Sequence, residues 1–285
     1  MPVIHTIDLK YLGIPQALAA FVVADPLREL GPVLIETGPA STIPDLMSGL
    51  LALGIVPREI QHALVTHIHL DHAGAAGDLA STGTHIHVHA FGAKHLIDPS
   101  KLIDSATRIY GEQMDRLWGR IKPVPASQIH AARDGDIIEV SGLRFRAIET
   151  PGHALHHHAF ALEMDHEKVC FAGGAAGFNA PAVNRAFISV PTPPPEFDLD
   201  AWLATIDRLR GEKCDALYLT HFGRVDDPDA HLARLREVIP QHAEFVRQRV
   251  QNDMPREAIL REYIEWNRRD AARARLSERD FACYV

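Results

Sequence analysis

The chain has 285 residues, 46% hydrophobic and 23% charged, with a formal net charge of −8. That composition is ordinary for a folded soluble protein and excludes a disordered one. It also speaks against nucleic acid as a partner, since phosphates call for a basic surface, and the arginines between Arg268 and Arg279 have Asp and Glu among them.

The amino-terminal MPVIHTIDLK has no basic segment followed by an apolar core, and no uncharged apolar run is long enough to cross a bilayer. The expectation is a cytoplasmic protein with no membrane partner. QALAAFVVAD and PVLIETG read as strands, being short, β-branched and bounded by Pro, Gly and Asp. TIPDLMSGLLALG places Ile43, Leu46, Leu50 and Leu51 at helical spacing and stops at Gly54. HALVTH is then a buried strand running into a histidine cluster, with a helix from Gly74 to Leu79 after it. THIHVHA is another strand and GAKHLID a short helix. From about 98 to 125, Tyr110, Met114, Leu117 and Trp118 recur at roughly helical spacing between prolines, which predicts helices inserted over the core as a lid.

DIIEVSG, LRFRAIETPGH, HHAFALEMD and KVCFAGG read as strands, with Asp165 and His166 at a hairpin turn. Pro191 to Pro195 form a stiff connection, Asp198 to Gly211 an amphipathic helix, and ALYLTHFG a strand ending in His221. Pro228 to Asn252 and Pro255 to Arg269 are two carboxy-terminal helices. The expected organisation is a main domain over 1–227 carrying the 98–125 insertion, and a helical extension over 228–285 packed on it. Cys170, Cys214 and Cys283 are too scattered for a disulfide framework or a paired-cysteine zinc site and are read as inert thiols.

The 18 histidines make metal the first chemistry to test. In THIHLDHAG, His67 and His69 lie two apart on an extended segment and so reach one ion. Asp71 and His72, where the chain turns into a helix, point to a neighbouring position. Imidazole and carboxylate suit zinc, and also iron, manganese or nickel. His153 in IETPGH and His221 in LYLTHFG share the strand-end setting. A tripod of His67, His69 and His153 leaves an open coordination position for water. Asp71, His72 and His221 form a second group.

THIHLDHAG resembles the His-x-His-x-Asp-His signature of the metallo-β-lactamase superfamily. IETG resembles its second-strand Asp-Thr-Gly element, TPGHALHH the segment of its third histidine, FAGGAAG its Gly-Asp loop, and LTHFG its final histidine segment. The resemblance runs from about Val33 to Gly223. It implies an α/β fold, the four-layer αββα sandwich with the site on one edge, and a hydrolase of thioesters, lactones, β-lactams or phosphoesters. Two departures stand out. Glu36 replaces the second-strand aspartate, a longer carboxylate still able to accept from a ligand imidazole. Gly174 stands where the resemblance places the aspartate that bridges two ions, so the expectation is one Zn2+ in the tripod and a weaker second site, with iron or manganese as alternative metals.

The function expected is hydrolysis of a small-molecule ester, thioester or lactone by metal-activated water, with Asp71 orienting the water or accepting its proton. Two alternatives stay open: a metal-binding or ligand-sensing protein with a degenerate site, and a mononuclear iron oxygenase of sulfur substrates. A homodimer is also left open. His157 falls where many members of the resembled family carry a second histidine, and a role in orienting the site is left open. His85, His87 and His89 are set aside as strand-face residues, and His62, His130, His156 and His158 as structural or solvent-facing ones.

Overall fold

The strand β2 (Ala19–Ala24) is apolar at every position because both of its faces are covered. Phe21 and Val23 enter one core, while Ala20 and Val22 enter another. The computed structural model describes residues 2–25, 31–180, 187–192 and 196–281. Cys283 and the segment Pro193 to Pro195 of the expected stiff connection lie outside the described residues.

The first sheet runs in sequence order. β1 (Val3–Asp8), β2 and β3 (Val33–Ile35) are antiparallel. β4 (His62–Leu64), β5 (His85–His89) and β6 (Ile129–Ala132) continue in parallel. Parallel neighbours need crossovers. These are α1 (Ile43–Ala52), the pair α2 (Leu70–Ala73) and α3 (Ala76–Ala80), and the group α4 (Ala93–Ile97), α5 (Ser100–Tyr110) and α6 (Met114–Trp118). Leu46, Leu50, Leu79 and Leu96 from these helices cover the outer face of the sheet.

The second sheet contains β7 (Ile137–Val140), β8 (Leu143–Glu149), β9 (His158–Met164) and β10 (Glu167–Phe171), then β13 (Ala216–Leu219) and β14 (Gly223–Val225). The small hairpin β11 (Phe178–Ala180) and β12 (Phe187–Ser189) stands apart. Phe21, Ile35 and Leu64 meet Phe145, Phe160, Phe171 and Tyr218 between the two sheets. α7 (Leu199–Gly211) and α8 (Pro228–Gln251) cover the outer face through Trp202, Ile206, Leu209, Leu232, Leu235 and Ile239. The result is helix, sheet, sheet, helix: the αββα sandwich.

α9 (Arg256–Arg273) and α10 (Glu278–Phe281) bury Ala271, Leu276 and Phe281 against Ala180 and Phe187 of the hairpin. No helix among the described residues is long and apolar enough to cross a membrane. The sequence pattern does not predict β1, β6 or β14. β1 buries only Ile7 fully, and all three are edge strands whose polar positions mask the apolar pattern.

Trp202 is fully buried and its indole N–H donates to the Ala175 carbonyl at 2.7 Å. A Cβ on Gly152 would sit 2.3 Å from the Trp202 backbone, so the chain leaving β8 presses directly on α7. Trp202→Ala is expected to cost about 3–5 kcal/mol, visible as a lowered urea midpoint.

Two buried histidines make the frame sensitive to acid. His158, whose Nε2 donates to the Val65 carbonyl at 3.2 Å, is pushed down to about 3, chiefly by burial. His242, hydrogen-bonded to the Tyr263 hydroxyl at 2.6 Å, is pushed down to about 4 for the same reason. In the unfolded chain both titrate at ~6.5, so below that pH the unfolded state binds protons that the folded state refuses. Stability should hold above about pH 6.5 and fall as the pH drops toward about 4. Urea titrations across that range check it, and His242→Gln should flatten the slope.

Candidate metal centre

The chain beyond β4 carries the Val65 N–H to the His87 carbonyl at 3.0 Å, bends at Thr66 and at His69, and enters α2 at Leu70. His67 and His69 therefore project together, and Asp71 and His72 fall in the first helical turn. His153 follows β8 and His221 follows β13, so separate strand ends of two sheets meet at one edge.

Three nitrogens form a triangle. His67 Nε2 lies 2.9 Å from His69 Nδ1, His69 Nδ1 3.2 Å from His153 Nε2, and His153 Nε2 3.2 Å from His67 Nε2. An ion bound tetrahedrally at about 2.0–2.1 Å would set its nitrogens about 3.3 Å apart. The hydrogen-bond partners place the protons elsewhere. His153 Nδ1 donates to the Pro191 carbonyl at 3.0 Å. His67 Nδ1 donates to Thr66 Oγ1 at 3.0 Å, and the Thr66 hydroxyl passes on to Glu36 Oε1 at 2.6 Å. Both Nε2 lone pairs then point into the triangle, as a metal requires. Burial holds His67 and His69 well below the usual imidazole range and brings His153 down to about 4. All three are therefore neutral near pH 7, the form that binds metal.

The second group is charged. Asp71 Oδ2 lies 3.2 Å from His221 Nε2 and 3.5 Å from His72 Nε2. Burial opposes charge at His72, yet Asp71 and Glu36 outweigh it and hold His72 up to about 10. Burial likewise opposes charge on Asp71, but His72 and His221 keep its carboxyl well below the usual carboxylate range. Asp71, His72 and His221 present ligand atoms within 4.8 Å of one another, as do those of the tripod.

Glu36 serves both groups. Its Oε1 accepts from Thr66, from His72 Nδ1 at 3.1 Å and from the Thr220 hydroxyl at 3.4 Å, and the side chain is buried. Its φ of 64° is in the left-handed region, a strain of about 1–2 kcal/mol that the network offsets.

Gly174 lies beside the tripod. A Cβ there would be 2.9 Å from both Cδ2 and Nε2 of His153. The glycine expected only to lack a ligand also leaves the space the His153 ring occupies, a steric fact that sequence does not carry. His157, from its bond to Thr150 Oγ1 at 2.7 Å, lays its ring 4.7 Å from that of His67. His156, set aside in the sequence, stands inside the site. Its Nε2 is 3.2 Å from Glu196 Oε2, and with His69 these two form a third group of potential ligands. No motif links them, because Glu196 lies beyond the prolines. His89 is turned away to Glu149 at 3.3 Å.

A cavity of about 430 Å³ opens over the tripod. Its walls include Leu102, Ala106, Ile109 and Tyr110 of α5, Trp118 of α6 and Phe178 of β11, so α5 and α6 line this cavity.

Glu36→Ala is expected to weaken metal binding roughly 10- to 100-fold, measured with added divalent ions in competition with a chromogenic chelator. Gly174→Ala should weaken it as well, because the new methyl displaces the His153 ring from its bond to Pro191.

The sequence profile of the metallo-β-lactamase superfamily matches residues 16–221. The metallo-β-lactamase fold-containing protein of Sulfurisphaera tokodaii is 24% identical over 228 residues, 78% of this chain and 79% of its own. The atrochrysone carboxyl ACP thioesterase of Pseudocercospora fijiensis is 26% identical over 198 residues, 68% of this chain, and the match spans 45% of that relative's length. Among solved structures, the metallo-β-lactamase family protein of Thermus thermophilus superposes with a TM-score of 0.65 at 23% identity, covering 85% of this chain and 81% of that one. The matched span contains every residue of the tripod and of the second group, and the chain belongs to the metallo-β-lactamase superfamily.

Proposed function

We propose that this protein is a metal-dependent hydrolase of a small thioester, ester or lactone, with a thioester as the leading candidate. The observation that carries the reading is the triangle of neutral, buried imidazole nitrogens under an apolar-walled cavity. When bound there, a zinc-type ion supplies a Lewis acid and lowers the pKa of a coordinated water to ~7. His67, His69 and His153 would hold it, with Thr66, Glu36 and the Pro191 carbonyl fixing two of the rings.

The Asp71 carboxylate lines the same cavity. It is ionised and lies beside the tripod, so it is placed to orient a water and to take its proton. The walls of α5 and α6 accept an acyl group and keep bulk water from the reacting carbon. A thioester leads because several of the fungal relatives are named acyl-carrier-protein thioesterases.

Zinc-loaded protein should hydrolyse simple acyl thioesters, and removal of the ion with a chelator should abolish turnover until zinc is returned. Asp71→Asn is expected to lower kcat by about 10²- to 10⁴-fold while leaving zinc in the tripod. Failure of fully loaded protein to open any of a broad thioester, ester and lactone panel would sink the reading in favour of a metal-dependent sensor.

A further inference from the structure

Four histidines of the first sheet lie outside the metal centre, and the structure draws them together. His62 opens β4, His85 opens β5, His87 follows two residues later, and His130 sits on β6. The register makes His62 the direct neighbour of His85, and His87 the direct neighbour of His130. His62 is five residues from His67 along the chain, at most about 16 Å away at the rise of a strand.

Their nitrogens approach in pairs. His85 Nδ1 is 2.8 Å from His130 Nε2, and His62 Nδ1 is 3.2 Å from His87 Nε2. The His87 and His130 rings stack at 4.8 Å and 21°, so the two pairs are contiguous. The charged groups that act on His62 are His85 and His130, and those on His87 are His130, His62 and His85. The cluster is thus imidazole facing imidazole, with His130 exposed at its rim and His87 buried at its base.

We propose that this cluster is a second, separate site for a divalent transition-metal ion of the copper(II) type, clamped by His85 Nδ1 and His130 Nε2, with His62 and His87 packed beside it as a neighbouring pair and not as ligands. Two nitrogens at right angles about an ion with bonds of ~2.0 Å lie about 2.8 Å apart, the spacing of the outer pair. Neutral imidazole suits copper and nickel, and copper(II) heads the affinity order for nitrogen sites. Each close pair shares one N–H···N bond in the free protein. Binding asks only that this proton move to the other ring nitrogen, with no loss of charge from the chain. Adjacent strands fix the spacing of the two rings in advance, which removes much of the ordering cost.

The test is a copper(II) titration of the zinc-loaded protein, followed by electron paramagnetic resonance and by elemental analysis of retained zinc. One copper per chain with imidazole-nitrogen hyperfine structure and unchanged zinc is expected. His85→Asn and His130→Asn should each weaken that copper about a hundredfold, since a paired ligand is lost, with zinc content and circular dichroism unaltered. Copper uptake matched by equal zinc release overturns the proposal. So does unchanged copper affinity in both variants.

Discussion

A single buried carboxylate, Glu36 at the end of β3, holds the two sheets and both groups of metal ligands in one arrangement. A charge removed from water must be met by donors or it destabilises the fold by several kcal/mol. Glu36 is met by Thr66, which follows β4 of the first sheet, by His72 of α2, and by Thr220, which follows β13 of the second sheet. Backbone bonds close the same seam: Ala19 N–H donates to the Thr220 carbonyl at 2.8 Å and His158 N–H to that of Thr66 at 2.9 Å. The orientation of His67 through Thr66, and of His72 directly, follows from satisfying that one charge. A glutamate where the superfamily pattern has aspartate adds a methylene, and the left-handed backbone at Glu36 accompanies the longer reach.

How much of this was readable depended on how local the cause is. His67, His69, Asp71 and His72 were legible because a strand running into a helix fixes their directions within six residues. His153 and His221 were legible as histidines closing apolar strands. The helices α5 and α6 were legible from Tyr110, Met114, Leu117 and Trp118, whose spacing is that of a helix face. The edge strands β1, β6 and β14 were not, although the edge strand β7 was, since β1 and β6 present polar residues where pairing, not burial, defines them. Nor was the His156–Glu196 partnership, which exists only because the chain after β12 returns to the cavity rim. Gly174 was legible as a missing ligand, while its contact with His153 depends on how β10 and β8 end in space.

The two ligand groups differ in the work a cation must do to enter. The tripod is neutral, its protons are committed to Thr66 and Pro191, and its lone pairs already converge. The burial that disfavours imidazolium there favours the metal-binding form. The second group is instead a self-contained ion pair, with a proton on His72 held between Asp71 and Glu36. A cation entering it competes with that proton.

The missing bridge sharpens this asymmetry. Two dications would bring four positive charges into a pocket whose nearby carboxylates are Asp71, Glu36 and Glu196, of which Glu36 contacts the imidazoles and Glu196 is paired with His156. In a medium of low effective dielectric, uncompensated charge of that size is costly. An aspartate at position 174 would add one more anion, but its Cβ would meet the His153 ring at 2.9 Å. Glycine at this position supplies no bridging anion and leaves the His153 ring in its place. A first ion is favoured by geometry and neutrality together, whereas a second must also displace the His72 proton and offset the charge of the first.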